Sequence, residues 1–360
     1  MAANESSLVY IGTYSGGKSK GIYLSRFDEA TGKLSALELA AEAKNPSFLC
    51  LHPNGKLLYS VGETDSFDGK KSGAVEAYRI EAGTGKLTLL NQQASEGLGP
   101  CHLALDKTGR CLLVANYGSG SIAALPVDKD GKLGEARAKI QHSGSSVNPS
   151  RQEGPHAHFI TMEPKNRFAL TCDLGLDKVL TYRLDTAKGS LTLNSSVSIK
   201  PGEGPRHLAF HPNGHWVYVI NEMGSSMTAL AYDDEKSALK ELQMVSTLPA
   251  DFKGHNSGAE VQMHPSGKFV YGSNRGHDSI AVFSINEKSG NLTPLGHQST
   301  QGKTPRHFAI DPKGKWLLAE NQDSDTIVVF GIDATSGMLR ETGQTVEVGK
   351  PVCVVFANND

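Results

Sequence analysis

Apolar and polar positions alternate along this chain in short runs, and turn-forming residues punctuate them. "HLAF" leads into "HPNGH" and then into "WVYVI". Runs of this length, rich in aromatic and β-branched residues, predict strands. A tight-turn element recurs six times: "HPNGK" from His52, "DKTGR" from Asp106, "EPKNR" from Glu163, "HPNGH" from His211, "HPSGK" from His264 and "DPKGK" from Asp311. Pro or Lys followed by Asn or Gly sets one backbone angle and frees the next, as a tight turn needs. A third strand follows each time, as in "SIAALPVD", "KVLTYRLD", "SMTALAYD", "SIAVFSIN" and "TIVVFGID". A polar turn such as "DATSGML" or "NEKSGNL" then leads into a fourth. The unit is therefore four antiparallel strands, a to d, repeating about every fifty residues. No segment shows a helical period.

The ends of the chain complete the count. "KPVCVVF" is an a strand without its b, c and d. "SLVYIGTY", "GIYLSRFD" and "LSALELAA" are b, c and d without their a. Sharing one unit between the termini closes the ring and removes an exposed sheet edge. The expectation is an all-β fold: a seven-bladed β-propeller with four antiparallel strands per blade, one domain over residues 1–360. A pair of β-sandwiches leaves the period unexplained.

Composition narrows the partners. The net charge of the 360 residues is −2, which gives no reason to expect nucleic acid or a membrane surface. No apolar run reaches the roughly 20 residues a membrane helix needs. The N-terminal "MAANESSLVYIG" lacks the charge-then-apolar order of a signal peptide. The five cysteines form no CxxC pair, which points to a reducing, cytoplasmic setting and away from structural zinc. A ring that closes on itself is expected to be a monomer. No Ser-His-Asp signature is read, and the chain has no HExxH and no Cys/His ligand set, so neither a serine triad, a metal nor a cofactor is expected. The loop "YSGGKSKG" (14–21) sits between strands b and c, with no helix after it to complete a P-loop, and reads as an ordinary mobile connection.

The tight turns fix a register, so equivalent positions can be read across the units. The start of strand a and the end of strand b meet at one mouth of the central channel, together with the long loops 63–73, 143–154 and 249–258. One column at the start of strand a holds Ser47, Cys101, His158, Arg206, Ala259, Arg306 and Val352; the next holds Phe48, His102, Phe159, His207, Glu260, His307 and Cys353. At the end of strand b, Gly62, Asn116, Asp173, Asn221, Asn274 and Asn321 precede Glu63, Tyr117, Leu174, Glu222, Arg275 and Gln322. Recurring Asn and His fit loop capping and packing between blades. The non-recurring charges are the sharper signal. Arg206, Arg275 and Arg306 make an anion receptor, because guanidinium offers a planar fork of donors to carboxylate or phosphate. His158 and Glu222 add groups able to move a proton. An ion pair of Arg275 with Glu222 or Glu260 is the structural alternative.

At these residues the sequence resembles the lactonase family of seven-bladed propellers, which includes 6-phosphogluconolactonases and carboxy-cis,cis-muconate lactonizing enzymes. The resemblance lies in "YIGTYSGGKSKGIY", "NPSFLCLHPNGKLLYSVGE", "GPHAHFITMEPKNRFALTCDLGLDKV", "GPRHLAFHPNGHWVYVINE", "AEVQMHPSGKFVYGSNRGHDSIAVF" and "TPRHFAIDPKGKWLLAENQ", spread over essentially the whole chain. It implies a catalytic set of His158, Arg206, Glu222 and Arg275. Arg306, His156, His207, Glu260 and Asn274 are the accompanying candidates for substrate binding. One unit departs from the pattern, with "GAEV" and Glu260 where others have "PRH". The implied activity is cofactor-free hydrolysis of an anionic sugar lactone, 6-phosphoglucono-δ-lactone foremost, in the pentose phosphate route of carbohydrate metabolism. A muconate-type cycloisomerase and a non-catalytic propeller binding an anionic ligand or a protein partner are the alternatives.

Overall fold

The computed structural model describes residues 6–357. Its strands form seven antiparallel sheets, each with the chain order a-b-c-d from one edge to the other. In the blade shared by the termini, Pro351–Ala357 is strand a and pairs with Ser6–Thr13, which pairs with Gly21–Asp28. The fourth strand of this blade differs from the expected continuous "LSALELAA". It is broken into Lys33–Leu34 and Glu38–Glu42, both on Gly21–Asp28. The Ser35 hydroxyl hydrogen-bonds the Arg26 amide and the Ser25 hydroxyl between the two pieces, which holds the break open. The helical content among the described residues is one 3₁₀ turn, Gln322–Ser324.

The repeated motif is explained by contacts between blades. Tyr10, Tyr59, Tyr218 and Tyr271 sit on b strands and are buried. Each donates its hydroxyl to a glycine carbonyl in the next blade: Gly85, Gly131, Gly290 and Gly337, at 2.7–2.9 Å. The turn histidines do the same at the far mouth. The ring nitrogens of His52, His211 and His264 meet the carbonyls of Gly109, Gly267 and Gly314 in the following blades. Those glycines cannot be replaced freely. Gly109 has φ +71°, and a Cβ there would lie 2.1 Å from His52 Nε2. Where the turn begins with Asp106, the carboxylate instead caps its own turn through the amides of Thr108, Arg110 and Cys111. Apolar clusters fill the space between adjacent blades, so the core is a ring of wedges around the channel. Trp316 Nε1 donates to the Glu29 carbonyl at 3.0 Å and Gln344 to that of Thr31, joining the last complete blade to the shared one.

Candidate active site at the channel mouth

The innermost strands are not regular where they reach the channel mouth. Pro205 pairs with Asn221 and His207 with Ile220, leaving Arg206 as an extra residue. His158 and Arg306 are extra residues in the same way, between Ala157 and Phe159 and between Pro305 and His307. Cys101 and Val352 repeat the pattern in two further blades. A bulge sets two residues against one and breaks the strict alternation of a strand. Consecutive residues then reach the channel together: Arg206 with His207, and Arg306 with His307. The bulges are thus the local device that turns a column of the repeat into a ring of functional groups.

Above the bulges lies a cavity of about 330 Å³ lined by Glu63, Cys101, Tyr117, Arg151, His158, Glu222, Ser257, Arg275 and Arg306. This is within the size range of small-molecule sites. Glu222 is its centre. Its Oε2 accepts from Arg206 Nε at 3.1 Å and lies 2.9 Å from Arg275 Nη2. Its Oε1 accepts from Arg151 Nη2 at 2.6 Å. Backbone carbonyls fix two of these arginines: Arg206 Nη1 donates to Ala259 at 2.7 Å and Arg275 Nη2 to Gly258 at 3.0 Å. Arg306 is different. Its guanidinium stacks over the Tyr14 ring at 5.4 Å and has no protein acceptor among the described residues. The Tyr14 hydroxyl donates to Glu63, which also accepts from Ser47.

These neighbours set the protonation states. Burial alone would push the Glu222 carboxyl up, but Arg275 and Arg206, helped by His158 and the Arg151 hydrogen bond, hold it well below the usual carboxylate range. Burial, then Arg206 and Arg306, push the His158 imidazole well below its ordinary value, against a smaller opposing pull from Glu222. His158 is therefore a neutral ring at neutral pH. Its Nδ1 lies 3.7 Å from the Cys101 sulfur, and its Nε2 has no protein partner among the described residues. Burial and the like charges of Arg306 and Arg275 lower Arg206 to about 9, so its guanidinium remains charged at pH 7. The arrangement can bind an anion, hold a developing oxyanion and accept a proton from water.

Beneath the cavity the channel narrows to a chamber of about 10 Å³, lined by Arg206, His207, Arg306, His307, Ser47, Phe48 and Cys101 among others. A space of this size suits one water. Under it runs a buried chain of acids and imidazoles. His207 Nδ1 is 2.8 Å from Glu260 Oε2, and His307 Nε2 lies 3.7 Å from the same oxygen. His307 Nδ1 is 2.7 Å from Glu320. Burial, partly offset by Arg206, pushes Glu260 up to about 8. Burial also raises Glu320 and lowers His207 and His307. The folded state thus favours neutral Glu260, whereas the unfolded chain ionises it near pH 4.5. The stability this group contributes is complete below pH 4.5 and is lost as pH rises through about 8. Glu260→Gln keeps the neutral shape. Urea unfolding at pH 5 and pH 8 is expected to show wild type losing ground to this variant as pH rises, by up to a few kcal/mol. His207 and His307 contact Glu260, so the difference reports the acid–imidazole chain that Glu260 belongs to.

The structure brings His158, Arg206, Glu222, Arg275 and Arg306 to one place. It does not bring the other candidates there. His207 and Glu260 belong to the deeper chain. The His156 ring stacks on Tyr117, with centroids 4.5 Å apart, and its Nδ1 meets the Tyr117 carbonyl, so it buttresses the wall. Asn274 does not line the cavity because its amide is taken up inside the blade by Thr247 and Ser279. Sequence reasoning missed Arg151, on a loop outside the repeated register, and Tyr14, which completes the column of Glu63, Tyr117 and Glu222 in the shared blade, since Thr13 stands opposite Pro351 as Asn221 stands opposite Pro205. Tyr14 lies on the segment read as an ordinary mobile loop. Glu63 and Tyr117 stood in the right column, and their neighbourhood to Glu222 was the available signal. Among the described residues, no three His, Cys, Asp or Glu side chains are grouped to hold a metal ion. Among these same residues, no helix is long and apolar enough to cross a membrane.

Fold and site together define a seven-bladed β-propeller with a guanidinium-lined cavity at one mouth. The chain belongs to the lactonase family of such propellers: the family model described as "Lactonase, 7-bladed beta-propeller" matches residues 8–356. It is 40% identical to a 6-phosphogluconolactonase of Bacillus subtilis, over 96% of this chain and 97% of that one. It is 35% identical to a 6-phosphogluconolactonase of Formosa agariphila, over 84% and 86%. Among solved structures, the periplasmic gluconolactonase PpgL of Pseudomonas aeruginosa superposes with a TM-score of 0.93 at 33% identity, covering 98% of this chain and 99% of that one.

Proposed function

We propose that this protein hydrolyses an anionic sugar lactone, with 6-phosphoglucono-δ-lactone, opened to 6-phosphogluconate, as the best-fitting substrate. One observation carries the reading: a guanidinium without an acceptor, Arg306, shares a small cavity with a neutral imidazole, His158. The names of the relatives agree with it. In the proposed reaction, Arg306 with Arg206 and Arg275 receives the lactone carbonyl oxygen and stabilises the oxyanion that forms there. With its own proton on Nδ1, His158 takes a proton from the attacking water at Nε2. Collapse of the tetrahedral intermediate breaks the bond to the ring oxygen, and the imidazolium returns the proton to that oxygen. Glu222 is the counter-charge that keeps the arginines aligned. No cofactor takes part.

The same proposal has the chain acting as one propeller domain, monomeric and cytoplasmic. It is supported by a ring that closes on itself and by five unpaired cysteines. Light scattering and cell fractionation check those points. The activity is tested by offering purified protein 6-phosphoglucono-δ-lactone, glucono-δ-lactone and a carboxy-muconate side by side. His158→Ala is expected to lower kcat on the phosphorylated lactone by about 10²–10⁴. Cyclisation of the muconate without lactone hydrolysis would replace the proposal with a cycloisomerase. Binding without turnover of any of the three would make the propeller a receptor.

A further inference from the structure

Three guanidiniums converge on the single carboxylate of Glu222, and they are not equivalent. The Arg206 and Arg275 side chains are 3% and 14% exposed, and each is anchored to a backbone carbonyl. The Arg151 side chain is 41% exposed and comes from the 143–154 loop at the rim. Among the described residues, its guanidinium hydrogen-bonds, apart from Glu222, only the Tyr117 hydroxyl, at 3.2 Å. The loop itself is well tied down. Asn148 Oδ1 accepts from the amides of Ser150 and Arg151, and Gln152 donates to the Leu174 carbonyl and to Asp177. The backbone of Arg151 is thus fixed, while its guanidinium, unlike those of Arg206 and Arg275, is anchored by side chains alone.

The charge balance says what would move it. Arg151, Arg206, Arg275 and Arg306 face two carboxylates, Glu63 and Glu222, in this cavity. The formal excess is two positive charges. A phosphate monoester carries about −1.5 to −2 at pH 7 and offers three acceptor oxygens. A plain sugar lactone brings no charge to cancel the excess.

We infer that Arg151 is a substrate-operated phosphate arm: the phosphate of the bound lactone draws its guanidinium from Glu222 Oε1 to the phosphate oxygens at the rim. Two consequences follow from the geometry. The phosphate is read at the rim, while the lactone carbonyl lies deeper, against Arg306. Releasing Arg151 also frees one oxygen of Glu222 to accept from the attacking water, and the added negative charge weakens the arginine field on His158. The phosphate then both holds the substrate and switches the site into its reactive state. This inference rests on the lactonase reading above and specifies how that site chooses its substrate.

The decisive experiment compares wild type with Arg151→Ala on 6-phosphoglucono-δ-lactone and glucono-δ-lactone. Loss of one charge-assisted contact is expected to lower kcat/KM on the phosphorylated lactone by about 10- to 100-fold. Activity on the plain lactone is expected to rise a few-fold, because Glu222 Oε1 is already free in the variant. Phosphite dianion, added as a separate piece, is expected to accelerate wild-type hydrolysis of the plain lactone and to leave the variant unchanged. An equal fall on both lactones would overturn the arm and leave Arg151 as a prop for Glu222. Calorimetry with inorganic phosphate gives a readout independent of turnover: wild type binds, and Arg151→Ala binds about tenfold more weakly or worse. Equal phosphate binding by both proteins also overturns the proposal. If neither lactone is turned over by wild type but the difference in phosphate affinity appears, the arm stands and the lactonase reading falls.

Discussion

Glu222→Gln is expected to lower kcat/KM on the phosphorylated lactone by about 10²–10³, the cost typical of disturbing one donor to a reacting oxyanion. Glutamine keeps the volume and one acceptor oxygen but removes the charge. The three arginines at 2.6–3.1 Å then face one another with no counter-ion at their centre. Mutual repulsion moves their donors away from the positions the transition state needs. Stability also falls, because removing one partner of a buried ion pair typically costs about 3–5 kcal/mol. The sign of the pH dependence is fixed by the depressed carboxyl. Its stabilising contribution is complete above the ordinary carboxylate range and is lost as pH falls through the lower folded value. The stability gap between wild type and variant is therefore constant above about pH 5 and narrows in acid. Inorganic phosphate should raise the melting temperature of the variant more than that of wild type, since it supplies the missing negative charge. Steady-state kinetics with a phosphate-dependent melting series measures both effects. A variant within a few-fold of wild-type kcat/KM would remove Glu222 from the site.

How much of this site was legible in sequence depends on where each residue stands relative to the repeat. Arg206, Arg306 and His158 were found because a tight turn a few residues downstream fixes their register. Glu222 and Arg275 were found from the same turn, counted along strand b. The bulges were not legible, since "GPRH" and "TPRH" do not show that Arg206 and Arg306 are extra residues in their ladders. Without a bulge, alternation would have sent Arg206 and His207 to opposite faces. Arg151 had no column to stand in. It is placed by loop hydrogen bonds between Asn148, Gln152 and Asp177 that no repeat encodes. Asn274 shows the converse error. Its column was right, but a column fixes only where a side chain starts, and this amide turns into its own blade. Similarly, the continuous apolar pattern of "LSALELAA" concealed a strand broken around Ser35.

Removing residues 351–360 is expected to destroy the cooperative fold. Pro351–Ala357 is the innermost strand of the shared blade, and it pairs along Ser6–Thr13. Its side chains also fill two wedges at once: Cys353 and Ala357 pack in one cluster, Val354 in another. Val352, Cys353, Val354 and Ala357 are each at most 4% exposed. At about 25 cal/mol per Å², burying the two valines alone is worth several kcal/mol, and the cysteine and alanine add to that. This is comparable with the whole stability of an ordinary fold, about 5–15 kcal/mol. The deletion also leaves Ser6–Thr13 as an apolar sheet edge facing the channel, a template for aggregation. The truncated chain should therefore lose its sharp thermal transition and associate, as read by circular dichroism and light scattering. Adding a synthetic peptide of residues 349–360 should restore the transition in proportion to peptide concentration, because the strand then binds as a ligand of the folded state. A truncated protein that melts cooperatively within a few degrees of the full chain would show that closure by this strand is dispensable. In that case the alignment of Arg206, Glu222, Arg275 and Arg306 would have to be maintained by contacts between the remaining blades.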